Sequence, residues 1–149
     1  MKDKMISRPG QSGSNSCAAI IVAAGSGVRA ASAHKFNARQ NSPFENDNFG
    51  HDLPKQFWRL GDKPVIAHAF DYFHQHPAIA AIILVVAEPY ITHMTNILPE
   101  TQKPVRLIAG GATRQNSVHA GLIALAGLKD YQNINYVTIH DAARPLIPT

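Results

Sequence analysis

The sequence predicts an α/β fold built on a largely parallel sheet, and three observations carry that prediction. Four short apolar runs, Ala18 to Ala23, Ala78 to Ala87, Val105 to Ala109 and Tyr136 to His140, are bounded by glycine, proline or polar residues, as strands are. Between them apolar residues recur at helical spacing, so strands alternate with helical crossovers, the arrangement that parallel neighbours need. The runs are nearly continuous rather than alternating, and three or four of these strands are expected to be buried on both faces.

Each element follows from its residues. Met1 to Ser16 is rich in Ser, Gly and Asn without periodicity and is expected to be a flexible tail. The first strand stops at Gly25. Ala30 to Leu53 holds Asn37, Asn41, Asn46, Asn48, Pro43 and Gly50, and a stretch of 24 such residues inside a domain reads as a lid or a disordered insertion. Ile66, Ala69, Phe70 and Phe73 share a helical face behind Pro64, which suits a first-turn position. A weaker helical stretch with Ile91, Met94 and Leu98 separates the second and third strands, and Val118, Gly121, Leu122 and Leu125 form another amphipathic face before the fourth. After that strand come Leu146, Ile147, Pro148 and Thr149, with no helix to cover it, so residues 17–149 are expected to be the N-terminal part of a longer domain.

Composition narrows the function. The 149 residues suffice for one core, and 45% apolar against 16% charged residues describes a folded domain rather than a charge-driven disordered chain. The net charge is +4, with Lys2, Lys4 and Arg8 in the first eight residues; no basic run interleaved with aromatics follows a polynucleotide backbone, so no nucleic-acid partner is expected. Single Cys17 cannot form an internal disulfide, and the eight histidines show no zinc spacing, which fits a reducing cytoplasm. The longest apolar run has ten residues, about half a membrane span, so no membrane partner is expected.

Ligands of open α/β sheets gather at the carboxyl ends of the strands. After the first strand, Ala23, Ala24, Gly25, Ser26, Gly27, Val28 and Arg29 combine glycines that let backbone amides approach phosphate with a fixed cation, although such a pair of glycines also makes a plain tight turn. Pro54 stiffens the chain before Lys55, whose ammonium reads either as a phosphate contact or as a solvated surface group. Gly110 to Ser117 offers amides and small side chains for a base and ribose; by itself it reads rather as a glycine turn capped by Thr113 ahead of a helix. Asp141, followed by Arg144, suits a hard divalent ion shared with phosphates, or a structural salt bridge. His74 and His76 diverge around a helix, and with His68, His93 and His119 they receive no role.

Taken together, the segments Ala23 to Arg29, Pro54 to Gln56, Gly110 to Val118 and His140 to Pro145 resemble the 2-C-methyl-D-erythritol 4-phosphate cytidylyltransferase family, over about residues 18–149. The resemblance implies a Rossmann-like nucleotidyltransferase fold with its C-terminal part missing. It implies transfer of CMP from CTP to methylerythritol phosphate with release of pyrophosphate, in non-mevalonate isoprenoid precursor synthesis. By the same resemblance Arg29 and Lys55 would bind the triphosphate and stabilise the transition state, and Asp141 would hold Mg²⁺. Ala23, Ala24, Gly25 and Gly27 would shape the nucleotide loop, Gly111, Ala112 and Ser117 would contact cytosine and ribose, and Ala142 and Arg144 would face the polyol phosphate. The family further implies a homodimer at full length, through later segments that also bring another catalytic lysine and a second metal carboxylate, so these residues alone are expected to be inactive or nearly so. Some family members continue into a second enzyme. Val22 departs from a proline common in the family, and residues 30–53 replace a much shorter link. A ribitol 5-phosphate cytidylyltransferase and a non-catalytic nucleotide-binding module are the competing readings.

Overall fold

The computed structural model describes residues 16–25, 54–129 and 131–145. Strand β1 (Cys17–Ala23) is followed by a 3-10 turn at Lys55–Phe57 and a two-stranded antiparallel hairpin, β2 (Arg59–Leu60) with β3 (Lys63–Pro64). Then come helix α1 (Val65–Gln75), β4 (Ile79–Val86), a 3-10 turn at Glu88–Tyr90, helix α2 (Ile91–Ile97) and β5 (Val105–Ala109). Helix α3 (Arg114–Ala126) and β6 (Tyr136–Asp141) complete the described elements. The main sheet has the order β5-β4-β1-β6, and all three pairings are parallel. The expected strands and helices are therefore present in the expected order.

Side chains alternate across the two central strands and build a core on each face. Ala19, Ile21 and Ala23 of β1 with Ile82, Leu84 and Val86 of β4 pack against Phe57, Ile66, Phe70, Phe73 and Met94, so α1 and α2 cover one face. Ala18 and Ile20 with Ala81, Ile83 and Val85 meet Leu125 of α3 on the other. Each fully buried Ile, Leu or Phe contributes about 1.5–3 kcal/mol relative to exposure, which makes this sandwich the main source of burial energy among the described residues.

Two expectations are corrected. Only β1 and β4 are buried on both faces: β5 and β6 form the edges, and Tyr136, Val137 and Ile139 of β6 are exposed. On α3 the buried stripe is Ser117, Gly121 and Leu125, four residues apart, while Leu122 lies outside it at 40% exposure. Small residues win this face because the helix sits tight on the sheet; a Cβ on Gly121 would come within 2.7 Å of Ile20 Cγ2.

The two short strands of the hairpin between residues 59 and 64 have no counterpart in the sequence reading. Gly61 adopts φ 70, a left-handed conformation suited to glycine, and closes the turn. Lys63 is paired with Asp71 of α1, Val65 N–H donates to the Trp58 carbonyl at 2.9 Å, and His68 Nε2 lies 2.7 Å from the Leu60 carbonyl. The hydrogen bond to Asp71 raises the Lys63 pKa above its ordinary value. Pro64 stands just before the first helical residue, as its missing N–H allows. Of the expected tail, Ser16 is described, and its carbonyl accepts N–H bonds from Asn135 and Tyr136. Residues 1–15 of that tail, and all of the expected insertion at 30–53, lie outside the described residues.

Candidate functional site

Four chain segments meet at the carboxyl rim of the main sheet, each held there by bonds dictated by the strand order. The side-chain amide of Gln56 donates to the Ala23 carbonyl at 2.6 Å and to the Gly25 carbonyl at 3.3 Å, which ties the Lys55–Phe57 turn to the end of β1. Phe57, 1% exposed, anchors the same turn in the core, and Lys55 stays exposed upon it. Gly110 N–H donates to the Val86 carbonyl at 2.7 Å and leaves no room for a Cβ beside Ala24, so the turn after β5 closes against the chain after β1. On the other flank, Ala142 N–H donates to the Val22 carbonyl at 3.0 Å, which brings Asp141 to the same rim.

The turn after β5 leads into α3 as a capped helix start. Thr113 Oγ1 accepts from Asn116 N–H at 3.1 Å. Ser117 is 1% exposed; its hydroxyl accepts from Gly111 N–H at 3.1 Å and donates to the Thr113 carbonyl at 2.9 Å. Ser117 thus lies beneath the turn, with Gly111 and Ala112 exposed above it. A direct contact of Ser117 with a base or ribose is not what this burial favours. Ala142 is likewise fully buried among the residues of the α1 and α2 face, so its side chain is turned from the solvent. Its backbone, not its methyl group, belongs to the rim.

Asp141 holds two guanidiniums. Arg114 Nε stands 2.9 Å from Oδ1 and Arg144 Nε stands 3.6 Å from Oδ2, with the arginine side chains 61% and 78% exposed. The turn that carries Arg144 is closed by its N–H bond to the Asp141 carbonyl at 3.0 Å and by His140 Nε2, 2.9 Å from the Arg144 carbonyl. No group of three or more His, Cys, Asp or Glu side chains that could hold an ion assembles among the described residues. Mg²⁺ bound beside nucleotides draws on one or two carboxylates, with water and phosphates completing its shell. Asp141, one-third exposed and supplying hard oxygens, fits that share of a site once a guanidinium gives way.

Of the sequence-predicted residues, the structure brings together Ala23, Ala24, Gly25, Lys55, Gly111, Asp141 and Arg144 at this rim, while Gly27 and Arg29 lie outside the described residues. Two participants were passed over. Gln56 was signalled by a polar residue between a lysine and a core phenylalanine. Arg114 was signalled by its position: a cation at the first residue of a helix opposes the helix dipole and calls for another partner.

This geometry has known relatives. A model of the 2-C-methyl-D-erythritol 4-phosphate cytidylyltransferase (IspD) family matches residues 46–149, a span that includes the turns at Lys55, Gly110 and Asp141. The chain belongs to the IspD family. It is 42% identical over 132 residues to the bifunctional enzyme IspD/IspF of Bartonella bacilliformis, covering 89% of this chain and 28% of that protein. The solved 4-diphosphocytidyl-2C-methyl-D-erythritol synthase from Anaerococcus prevotii superposes with a TM-score of 0.60 at 23% identity, over 89% of this chain and 45% of that one. The bifunctional IspDF of Campylobacter jejuni superposes with a TM-score of 0.55 at 25% identity, over 89% of this chain and 27% of that one. The fold is thus that of IspD structures, and the chain spans less than half the length of each of these relatives. Among the described residues no helix is long and apolar enough to cross a membrane.

Proposed function

We propose that this chain carries the nucleotide-binding part of an enzyme that transfers CMP from CTP to 2-C-methyl-D-erythritol 4-phosphate. The observation that carries the reading is the convergence of the Lys55 turn, the chain after β1, the glycine turn before α3 and Asp141 on one rim of a parallel sheet. In the reaction an oxygen of the substrate phosphate attacks the α-phosphorus of CTP, and the bond to pyrophosphate breaks. The nucleophile arrives already ionised, so the protein's task is alignment and neutralisation rather than proton removal.

Lys55 and Arg29 supply the cations that meet the triphosphate. Backbone amides of Ala23, Ala24, Gly25 and Gly27 shape the loop around it. Gly111 and Ala112 face the cytidine, and Ser117 supports their turn from below. Asp141 would hold Mg²⁺, which when bound neutralises phosphate charge beside it. Arg144, exposed at the end of the same turn, meets the polyol phosphate. Full-length protein would act as a homodimer in the cytoplasm, the latter in keeping with a single, unpaired cysteine among the described residues.

The test is calorimetry with CTP, followed by turnover of the intact protein with methylerythritol phosphate and with ribitol 5-phosphate. Turnover with the first alone is expected. Preference for ribitol 5-phosphate would reassign the substrate, and CTP binding without turnover would leave a binding module. Lys55→Ala is expected to lower turnover on the order of a hundredfold, the scale of losing one preorganised charge contact; near-normal turnover would remove Lys55 from the mechanism.

A further inference from the structure

We propose that Gln56 is a positioning residue for polyphosphate binding: its amide captures the carbonyl oxygens of Ala23 and Gly25 and thereby fixes the Ala24–Gly25 segment at the end of β1 with the Ala24 N–H turned away from it. The inference rests on the cytidylyltransferase reading of this rim.

The argument begins with a buried polar side chain. Gln56 is 5% exposed in a turn whose next residue, Phe57, is core. An amide buried in that way is retained only where its hydrogens find partners. Both bonds go to backbone carbonyls of one short segment, at 2.6 and 3.3 Å. A trans peptide sends its C=O and the following N–H in opposite directions, and no cis peptide occurs among the described residues. With the Ala23 carbonyl turned onto Gln56, the N–H of Ala24 is turned away from it.

That choice has an electrostatic consequence. A loop near a triphosphate can present amide hydrogens, which attract the anion, or carbonyl oxygens, which repel it. Gln56 occupies two of the oxygens that would face the wrong way. Because Lys55 is the preceding residue on the same turn, the two bonds also fix the lysine's turn against the loop. One side chain therefore couples the two phosphate-facing segments without touching the nucleotide.

A merely structural glutamine would lower stability and weaken every ligand alike; a positioning one discriminates by phosphate count. Gln56→Met keeps the length and removes the donors. In the intact protein its affinity for CTP and for inorganic pyrophosphate is expected to fall about tenfold or more, while its affinity for CMP changes less than about twofold. Equal loss for CTP and CMP, or no loss, in the folded variant would overturn the proposal. Gln56→Glu is the second variant and stands if the first fails to fold. Its carboxylate cannot donate at neutral pH and faces two carbonyls; protonated, it donates one bond. Its CTP affinity is therefore expected to rise towards that of the wild type as pH falls, against a wild-type profile measured in parallel, and parallel profiles would overturn the proposal. Wild-type protein that binds neither CTP nor pyrophosphate would sink the cytidylyltransferase reading first, and this inference with it.

Discussion

Asp141 stands between two arginines whose side chains are mostly in water, and that exposure decides what the cluster is for. Exposed ion pairs contribute between nothing and about 1 kcal/mol, so the pairing does little to hold β6 in place. Asp141→Asn is accordingly expected to leave the thermal midpoint of the chain nearly unchanged while turnover of the intact protein falls on the order of a hundredfold; a large loss of stability with turnover retained would mark Asp141 as scaffolding. Arg114 sharpens the point. At the first residue of α3 its charge opposes the helix dipole, at a cost of about 0.3–1 kcal/mol that its bond to Asp141 offsets. Arg114→Ala should thus change stability by less than about 0.5 kcal/mol, as measured by denaturant unfolding. An arginine kept at an unfavourable helix position for no gain in stability points to the charge balance of the rim. At this scale the sequence was legible in which turns reach the rim, as with those that carry Lys55 and Asp141. It was illegible in burial: the hidden positions of Ser117 and Ala142 depend on turns that only the folded sheet creates.

At the scale of elements, α3 is the informative case. Its sequence offers Val118, Gly121, Leu122 and Leu125 as the core face, yet the sheet takes the Ser117, Gly121 and Leu125 stripe, because Ile20 and Val85 rise from β1 and β4 where Gly121 passes. Periodicity located the helix and two of its buried positions, Gly121 and Leu125, but it missed Ser117 and took in Leu122, since small polar residues carry little hydrophobic signal while permitting the closest approach. Gly121→Ala would gain about 1 kcal/mol in helix propensity. The new methyl group would stand 2.7 Å from Ile20 Cγ2, and overpacking of that kind costs about 1–3 kcal/mol, so the net change is destabilising. Gly121→Val should be worse still; an unfolding midpoint at or above wild type for Gly121→Ala would show that the helix can lift without penalty. The hairpin before α1 was unreadable for a different reason. Its strands have two residues each, too short for an alternating pattern, and they are secured by bonds to α1 rather than by their own composition. Its ion pair also gives it a pH limit. A raised Lys63 pKa means that the contribution of the pair is whole below the lysine's ordinary pKa and is lost as pH rises through the higher folded value. Hydrogen exchange at Leu60 and Lys63 should therefore accelerate in strongly alkaline solution beyond the intrinsic rise, and Asp71→Asn should remove that excess.

Across the whole molecule, strand order determines where the candidate site lies. Parallel strands end on one side, so the turns after β1, β4, β5 and β6 share a rim although the sequence scatters them between residues 23 and 145. The alternation of strands and helices made that rim foreseeable; the edge positions of β5 and β6 were not, because apolar runs do not say which neighbour each strand takes. The rim has an electrostatic sign. Among the described residues, Lys55, Arg114 and Arg144 stand against Asp141 and Glu88, an excess of positive charge where a triphosphate would approach. Clefts of one sign concentrate oppositely charged ligands, and salt weakens the effect as the screening length falls from about 30 Å at 0.01 M to about 3 Å at 1 M. If the rim receives the phosphates, CTP affinity should drop steadily over that range while cytidine, which carries no phosphate, binds with nearly constant affinity. Calorimetric titrations of both ligands at several salt concentrations separate the cases. A CTP affinity as indifferent to salt as that of cytidine would mean that the cations at the rim do not meet the triphosphate, and that recognition rests on the base and ribose alone.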